Sequence, residues 1–161
     1  MSRGFSLLEV LVATAILIVG VAGLAQSFAI ASRANRSARA TTVAALLAQQ
    51  KMEQLHGLAW SIDPYGVPLG DAALSPSPAG ALDANTAGYC DFADRGGSVL
   101  GAGTTPPSGA IYVRRWSIGP LPANPANTLV LNVSVARLPG SGAAPQPDDV
   151  RIATIRTRKA I

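Results

Sequence analysis

Residues 5–31 form an almost uninterrupted apolar run, FSLLEVLVATAILIVGVAGLAQSFAIA, with one ionisable side chain, Glu9. As a helix this run would be about 40 Å long at 1.5 Å per residue. A hydrocarbon core about 30 Å thick needs about 20 apolar residues, so the run is long enough to span a membrane. Composition agrees. Only 14% of the 161 residues are charged, and mean hydropathy is +0.29. An ordinary soluble domain carries about 25% charged residues. The length corresponds to about one domain.

A secretory signal peptide has an apolar stretch of about 7–15 residues after a positive start. Here the run is longer, begins almost at once and contains an acid. A plain signal anchor accounts for the length but leaves Glu9 unexplained. At a helix centre an acid costs about 2.5–3.5 kcal/mol on insertion scales. In the first turns the cost is smaller, and the helix dipole favours a negative charge there. An intramembrane carboxylate is a functional hypothesis by default.

The stretch Gly4-Phe5-Ser6-Leu7-Leu8-Glu9-Val10-Leu11-Val12-Ala13 closely resembles the processing signal of type IV prepilins and type II secretion pseudopilins. The resemblance implies a leader ending at Gly4, with Arg3 as its positive charge. It implies cleavage after Gly4 by prepilin peptidase, N-methylation of Phe5, and an assembly role for Glu9. The implied partners are that peptidase, other major and minor pilins or pseudopilins, an inner-membrane assembly platform and the lipid bilayer. The implied location is the bacterial inner membrane, single-pass, with the C-terminal part outside the cytoplasm and later in a pilus or pseudopilus.

Physical chemistry supports this assignment. A lone Glu9 in a core of packed helices would be buried without a partner, and a neighbouring subunit's new α-amine would supply one. Removing one member of a buried pair costs several kcal/mol, so the pair would act as a register device. The alternative for Glu9 is a snorkelling acid at the membrane edge. Arg33, Arg36 and Arg39 follow the apolar run. The positive-inside rule alone would put that side in the cytoplasm, whereas the family resemblance puts it outside. These arginines then sit at the outer headgroup level, face filament neighbours, or form a solvated helix face.

No Pro occurs before Pro64, so the helix is expected to continue beyond the apolar run. Ala45, Ala48, Met52 and Leu55 recur at helical spacing, a core-facing stripe that Leu47, Leu58 and Ala59 could widen. Gln49, Gln50, Lys51 and Glu53 would cover the other face. His56-Gly57 reads as a stop with Gly as a left-handed cap. Gly20 and Gly23 allow close helix approach or a soft point in the apolar half.

Between residues 61 and 108 the chain is rich in Pro, Gly, Ala and Ser and holds no helical or strand period. Tyr89-Cys90-Asp91-Phe92 is a short patch expected to dock on a sheet. Cys90 is either a buried small hydrophobe or a free thiol. Asp91 and Asp94 near Gly96-Gly97 raise calcium, but the EF-hand ligand pattern is missing. The last third reads as strands over 111–118, 128–138 and 149–157. In the second, Leu129, Leu131, Val133 and Val135 alternate with polar or small residues. In the third the alternation slips by one, which predicts a bulge. Trp116 is expected to anchor the sheet to the helix, with ligand stacking as the alternative. Arg114, Arg115, Arg151, Arg156, Arg158 and Lys159 form a basic end, either a solvated face or a contact for DNA or an acidic partner. This ending is similar to minor pilins of the PilV type and to I-type minor pseudopilins.

The expected fold is α+β and pilin-like, a long N-terminal α-helix packed on a small C-terminal antiparallel β-sheet. The expected organisation is a leader at 1–4, a transmembrane or filament-core half of the helix at 5–31 and an amphipathic half at 32–58. A variable loop region at 59–108 and the sheet at 109–161 complete it. One Cys and one His exclude a disulfide framework within the chain and a thiolate- or His-rich metal cluster. No nucleotide-binding fingerprint, Walker loop or Ser/His/Asp set appears, so neither cofactor nor catalytic residue is expected. The function expected is that of a minor pilin, structural or assembly-initiating, in a type IV pilus. The alternatives are a minor pseudopilin of type II secretion and a membrane-tethered module binding DNA or a surface ligand.

Overall fold

The computed structural model of the chain describes residues 6–138 and 150–160. The expected leader at 1–4, Phe5 and the connection at 139–148 lie outside the described residues. The chain divides into two compact units, Met1–Arg39 and Ala40–Ile161. One helix, α1, runs over Leu7–Gly57 and contributes to both.

In the first unit every side chain from 6 to 31 is exposed. Two of its hydroxyls, on Thr14 and Ser27, bond within the helix. Thr14 Oγ1 donates to the Val10 carbonyl at 2.7 Å and Ser27 Oγ to that of Gly23 at 3.0 Å. A helix that satisfies its own backbone and hydroxyls is one of the few structures that can lie in hydrocarbon.

The second unit is built on two sheets. The strands are β1 Trp60–Ile62, β2 Pro68–Gly70, β3 Cys90–Ala93, β4 Val99–Ala102, β5 Tyr112–Pro120, β6 Thr128–Arg137, β7 Val150–Thr157 and β8 Lys159–Ala160. The main sheet has the order β4-β3-β5-β6-β7, and every pairing in it is antiparallel. A smaller sheet, β2-β1-β8, joins β8 parallel to β1. The last turns of α1 bury Ala44, Leu47, Ala48, Met52 and Leu55. They pack in one cluster with Trp116, Ile118, Leu129, Leu131, Val133 and Val135 of β5 and β6. Each such fully buried Leu, Ile or Val removes enough apolar surface to contribute about 1.5–3 kcal/mol. The expected α+β arrangement of helix on antiparallel sheet is the one observed, with Trp116 in the core between them.

The sheet differs from expectation in size. Two of its five strands come from the region expected to be loop. In β3 all four residues are buried, so no polar–apolar alternation marks it, and its central Asp91 disguises it further. On its other face Cys90 and Phe92 form a second small cluster with Val113 of β5. Beyond the reach of β3, the free edge of β5 is closed by the segment before β3. Ser77 N–H donates to the Ile118 carbonyl at 2.8 Å, and Trp116 N–H to that of Tyr89 at 3.0 Å. Covering an edge in this way blocks strand pairing with another chain.

The bulge expected in the last strand is absent. β6 and β7 pair in one continuous register from Val135↔Val150 to Thr128↔Thr157. The apparent slip arises because Ile155 points outward and Arg156 takes the inward position. Arg156 Nη1 donates to the Leu55 carbonyl at 2.7 Å, and Nη2 bonds the Leu58 carbonyl. The last carbonyls of α1 thus receive a cation where the helix dipole is negative. Gly57 has no left-handed backbone angle, so the glycine cap expected there is replaced by this arginine.

Lys51, expected on the solvated face, lies at the helix–sheet junction. Its Nζ sits 3.4 Å from the Trp116 ring centroid and 3.4 Å from Asp91 Oδ2. Burial lowers its pKa, and the Asp91 carboxylate opposes that shift. Arg114 on β5 grips the same carboxylate in two places, Nε to Oδ1 at 2.6 Å and Nη2 to Oδ2 at 2.9 Å. Its Nη1 reaches the Leu47 carbonyl at 3.4 Å and Gln50 Oε1 at 3.1 Å. With Arg114 only 1% exposed, this network joins α1, β3 and β5 in a dry setting.

Two outcomes are expected for the full-length chain in detergent. Asp91→Ala should lower the stability of the sheet unit by about 3–5 kcal/mol, because it leaves Arg114 buried and unpaired. Asp91→Leu with Arg114→Met should cost clearly less, and denaturant midpoints would show whether it does. The Cys90 thiol donates to the Gly103 carbonyl at 2.8 Å, and burial pushes its pKa up. A raised folded pKa gives stability that is complete below the ordinary thiol range and is lost as pH rises through the folded value. Stability should therefore decline above about pH 8.5, with a slope that Cys90→Ala removes. Thiol labelling at neutral pH should appear only with unfolding.

Candidate functional site

The residues singled out for processing, Gly4 and Phe5, lie outside the described residues. Glu9 lies in the first turn of α1. The backbone N–H groups of Glu9 and Val10 both donate to the Ser6 carbonyl, at 3.0 and 3.2 Å, which opens the helix. Helical spacing puts Val12, Ala13 and Ile16 on the face of Glu9. Its carboxylate is exposed, and among the described residues it has no ion-pair partner. The helix dipole offsets part of its charge at this position. The geometry is that of an acceptor held at one end of an apolar rod, open to a donor from outside the chain.

The arginines that follow the apolar run, Arg33, Arg36 and Arg39, are also exposed on α1. Gly20 and Gly23 have open space around them, so a close approach at either would have to come from another molecule.

The basic end does not form one surface. Arg114 is buried in the junction described above. Arg115 Nε donates to Asn85 Oδ1 at 3.0 Å. Arg156 caps α1. Arg158 lies 3.5 Å over the Trp60 ring and donates from Nε to the Ala126 carbonyl at 3.1 Å. Its Nη1 donates to the Ser61 carbonyl at 3.2 Å and also bonds that of Leu69. Arg151 and Lys159 are the two of the six that stay exposed. Arginines whose donors are committed to carbonyls have little left for phosphate.

The calcium hypothesis also finds no support in the geometry. Asp91 is taken by Arg114 and Lys51. Asp94 Oδ1 accepts the N–H groups of Gly96 at 2.8 Å and Ser98 at 2.9 Å, a turn-forming role. The structural roles of Arg156 and Arg158 went unread in the sequence. The signal for Arg156 was a cation at a strand position where the period called for an apolar residue.

No curated protein and no solved structure gives a significant match to this chain. One family model does match, the prokaryotic N-terminal methylation motif, over residues 1–25. It covers Gly4, Phe5 and Glu9 and the apolar run as far as Ala25. The helix behind it is the one described helix long and apolar enough to cross a membrane. A methylation motif leading into such a helix, which then packs on an antiparallel sheet, marks the chain as type IV pilin- or pseudopilin-like.

Proposed function

We propose that this chain is a minor pilin, a structural or assembly-initiating subunit of a type IV pilus rather than an enzyme. Prepilin peptidase cuts it after Gly4, and Phe5 becomes the methylated N-terminus. Glu9 then pairs with the α-amine of a neighbouring subunit. The observation that carries this reading is the Glu9 carboxylate, without an ion-pair partner among the described residues, in the first turn of a helix whose apolar segment is exposed throughout. Such a helix needs lipid or other helices around it. Such a carboxylate, once surrounded by apolar helices, needs a cation. The membrane holds the subunit until it is drawn into the filament. A minor pseudopilin of type II secretion would use the same chemistry and remains the second reading. The DNA-binding reading loses its main support, because the arginines of the basic end are largely spent inside the fold.

Intact-mass measurement on the membrane-extracted chain tests the proposal. With active prepilin peptidase, the mass should correspond to loss of residues 1–4 and gain of one methyl group. Gly4→Val should block both changes. Glu9→Ala should leave processing intact but keep the chain out of filaments sheared from cells that express the complete pilus machinery. An uncut chain in the presence of the peptidase would overturn the proposal. Recovery in secretion pseudopili and absence from pili would favour the second reading.

A further inference from the structure

Between Glu9 and Glu53 the helix carries four charged side chains, Arg33, Arg36, Arg39 and Lys51, all positive. The arginines recur every third residue, so they occupy one face of α1 within a sector of about 120°. All three are exposed, and none has an ion-pair partner among the described residues. The spacing along the axis is informative. From Glu9 to Arg33 the helix rises about 36 Å, and to Arg39 about 45 Å. A bilayer has a hydrocarbon core of about 30 Å and spans about 40–45 Å with its headgroups. With Glu9 at one edge of the hydrocarbon, Arg33 falls in the opposite headgroup layer, and the long side chains of Arg36 and Arg39, about 4.5 and 9 Å further along the axis, lean toward the helix N-terminus and so reach back to it. The segment 6–40 contains no Trp or Tyr, the residues that usually anchor a helix at the interface. The arginines are left to set its depth.

We propose that the Arg33–Arg36–Arg39 face binds the phosphates of anionic phospholipid headgroups in the leaflet opposite Glu9. This contact fixes the depth of the helix before assembly. The inference rests on the reading of residues 7–31 as a membrane span. The guanidinium fork matches phosphate oxygens two at a time. The absence of any acid on the intervening helix leaves the cations free for an outside anion. Lipid is the occupant because the face continues directly from the apolar surface that lipid covers.

The test uses the full chain reconstituted in phosphatidylcholine vesicles with a trace of spin-labelled phosphatidylglycerol or spin-labelled phosphatidylcholine. Electron spin resonance reads the fraction of each probe immobilised on the helix, and carbonate extraction independently reports insertion. The wild-type chain should immobilise the anionic probe preferentially. Arg→Gln replacement at 33, 36 and 39 should reduce that preference by up to about fivefold per arginine. Arg→Lys should retain part of it, and added salt should weaken it. An inserted chain with no preference for the anionic probe would overturn the proposal and leave the membrane span intact. A chain removed by carbonate would overturn the membrane reading itself. Undiminished preference in the Gln variant, with loss of binding to an acidic neighbouring pilin, would overturn the lipid proposal and give the face to a protein.

Discussion

A buried carboxylate decides where helix meets sheet. Asp91 sits on β3, accepts both arms of Arg114 from β5, and is approached by Lys51 from α1. Sliding the helix by one residue along the sheet would rotate Lys51 away and leave charges facing apolar side chains. Hydrophobic contacts alone tolerate such shifts, because Ala44, Leu47, Ala48 and Met52 resemble one another in chemistry. An ion pair with fixed geometry does not. The apolar stripe supplies most of the burial, and the charged network supplies the register. A buried pair of this kind is weak as a source of net stability, and here its geometry joins three elements rather than one.

The same economy governs the end of the helix. The last carbonyls of an α-helix lack intrahelical partners, and a glycine at the end often satisfies them by turning left-handed. Here the partner comes from about one hundred residues away, through Arg156 of β7. Arg158 does the equivalent for the small sheet, stacking on Trp60 and bonding the carbonyls of Ser61 and Leu69. Arg156 and Arg158 thus fasten the end of α1 and the small sheet to the end of β7. A positive net charge of +4 would ordinarily direct attention to nucleic acid. In this fold several of the cations that produce it are structural bolts.

These placements explain what the sequence made legible. The membrane-length helix, its end near His56 and the strand at β6 follow from strong periodic signals, with Leu129, Leu131, Val133 and Val135 all on the buried parity. Glu9 stands out because one acid in a long apolar run has few structural explanations, and the structure leaves it exposed in the first turn of α1. β3 and β4 were hidden, the first because burial on both faces erases alternation and the second because Val99–Ala102 is a short, exposed edge strand. Arg114 was legible as a charge but not as a core residue. Its partner Asp91 stands 23 residues earlier in the chain, and no local pattern links them.

On the proposed function, the helix serves two solvents in succession. Its first part, residues 6–31, exposes every side chain to whatever surrounds it, and the hydroxyls of Thr14 and Ser27 turn back to carbonyls one turn earlier. Its last part buries one stripe against a sheet and leaves Gln49 and Glu53 to water. The transition falls at Arg33, Arg36 and Arg39, where the chain first tolerates charge again. An acid at one end of the apolar segment and cations at the other leave the hydrocarbon-facing stretch uncharged for the thickness of a bilayer. Inside a filament the same stretch would be packed by helices instead of lipid. The cost of moving between the two is then concentrated at the two charged ends, because hydrocarbon and apolar helix surface are nearly equivalent surroundings for Leu, Ile and Val.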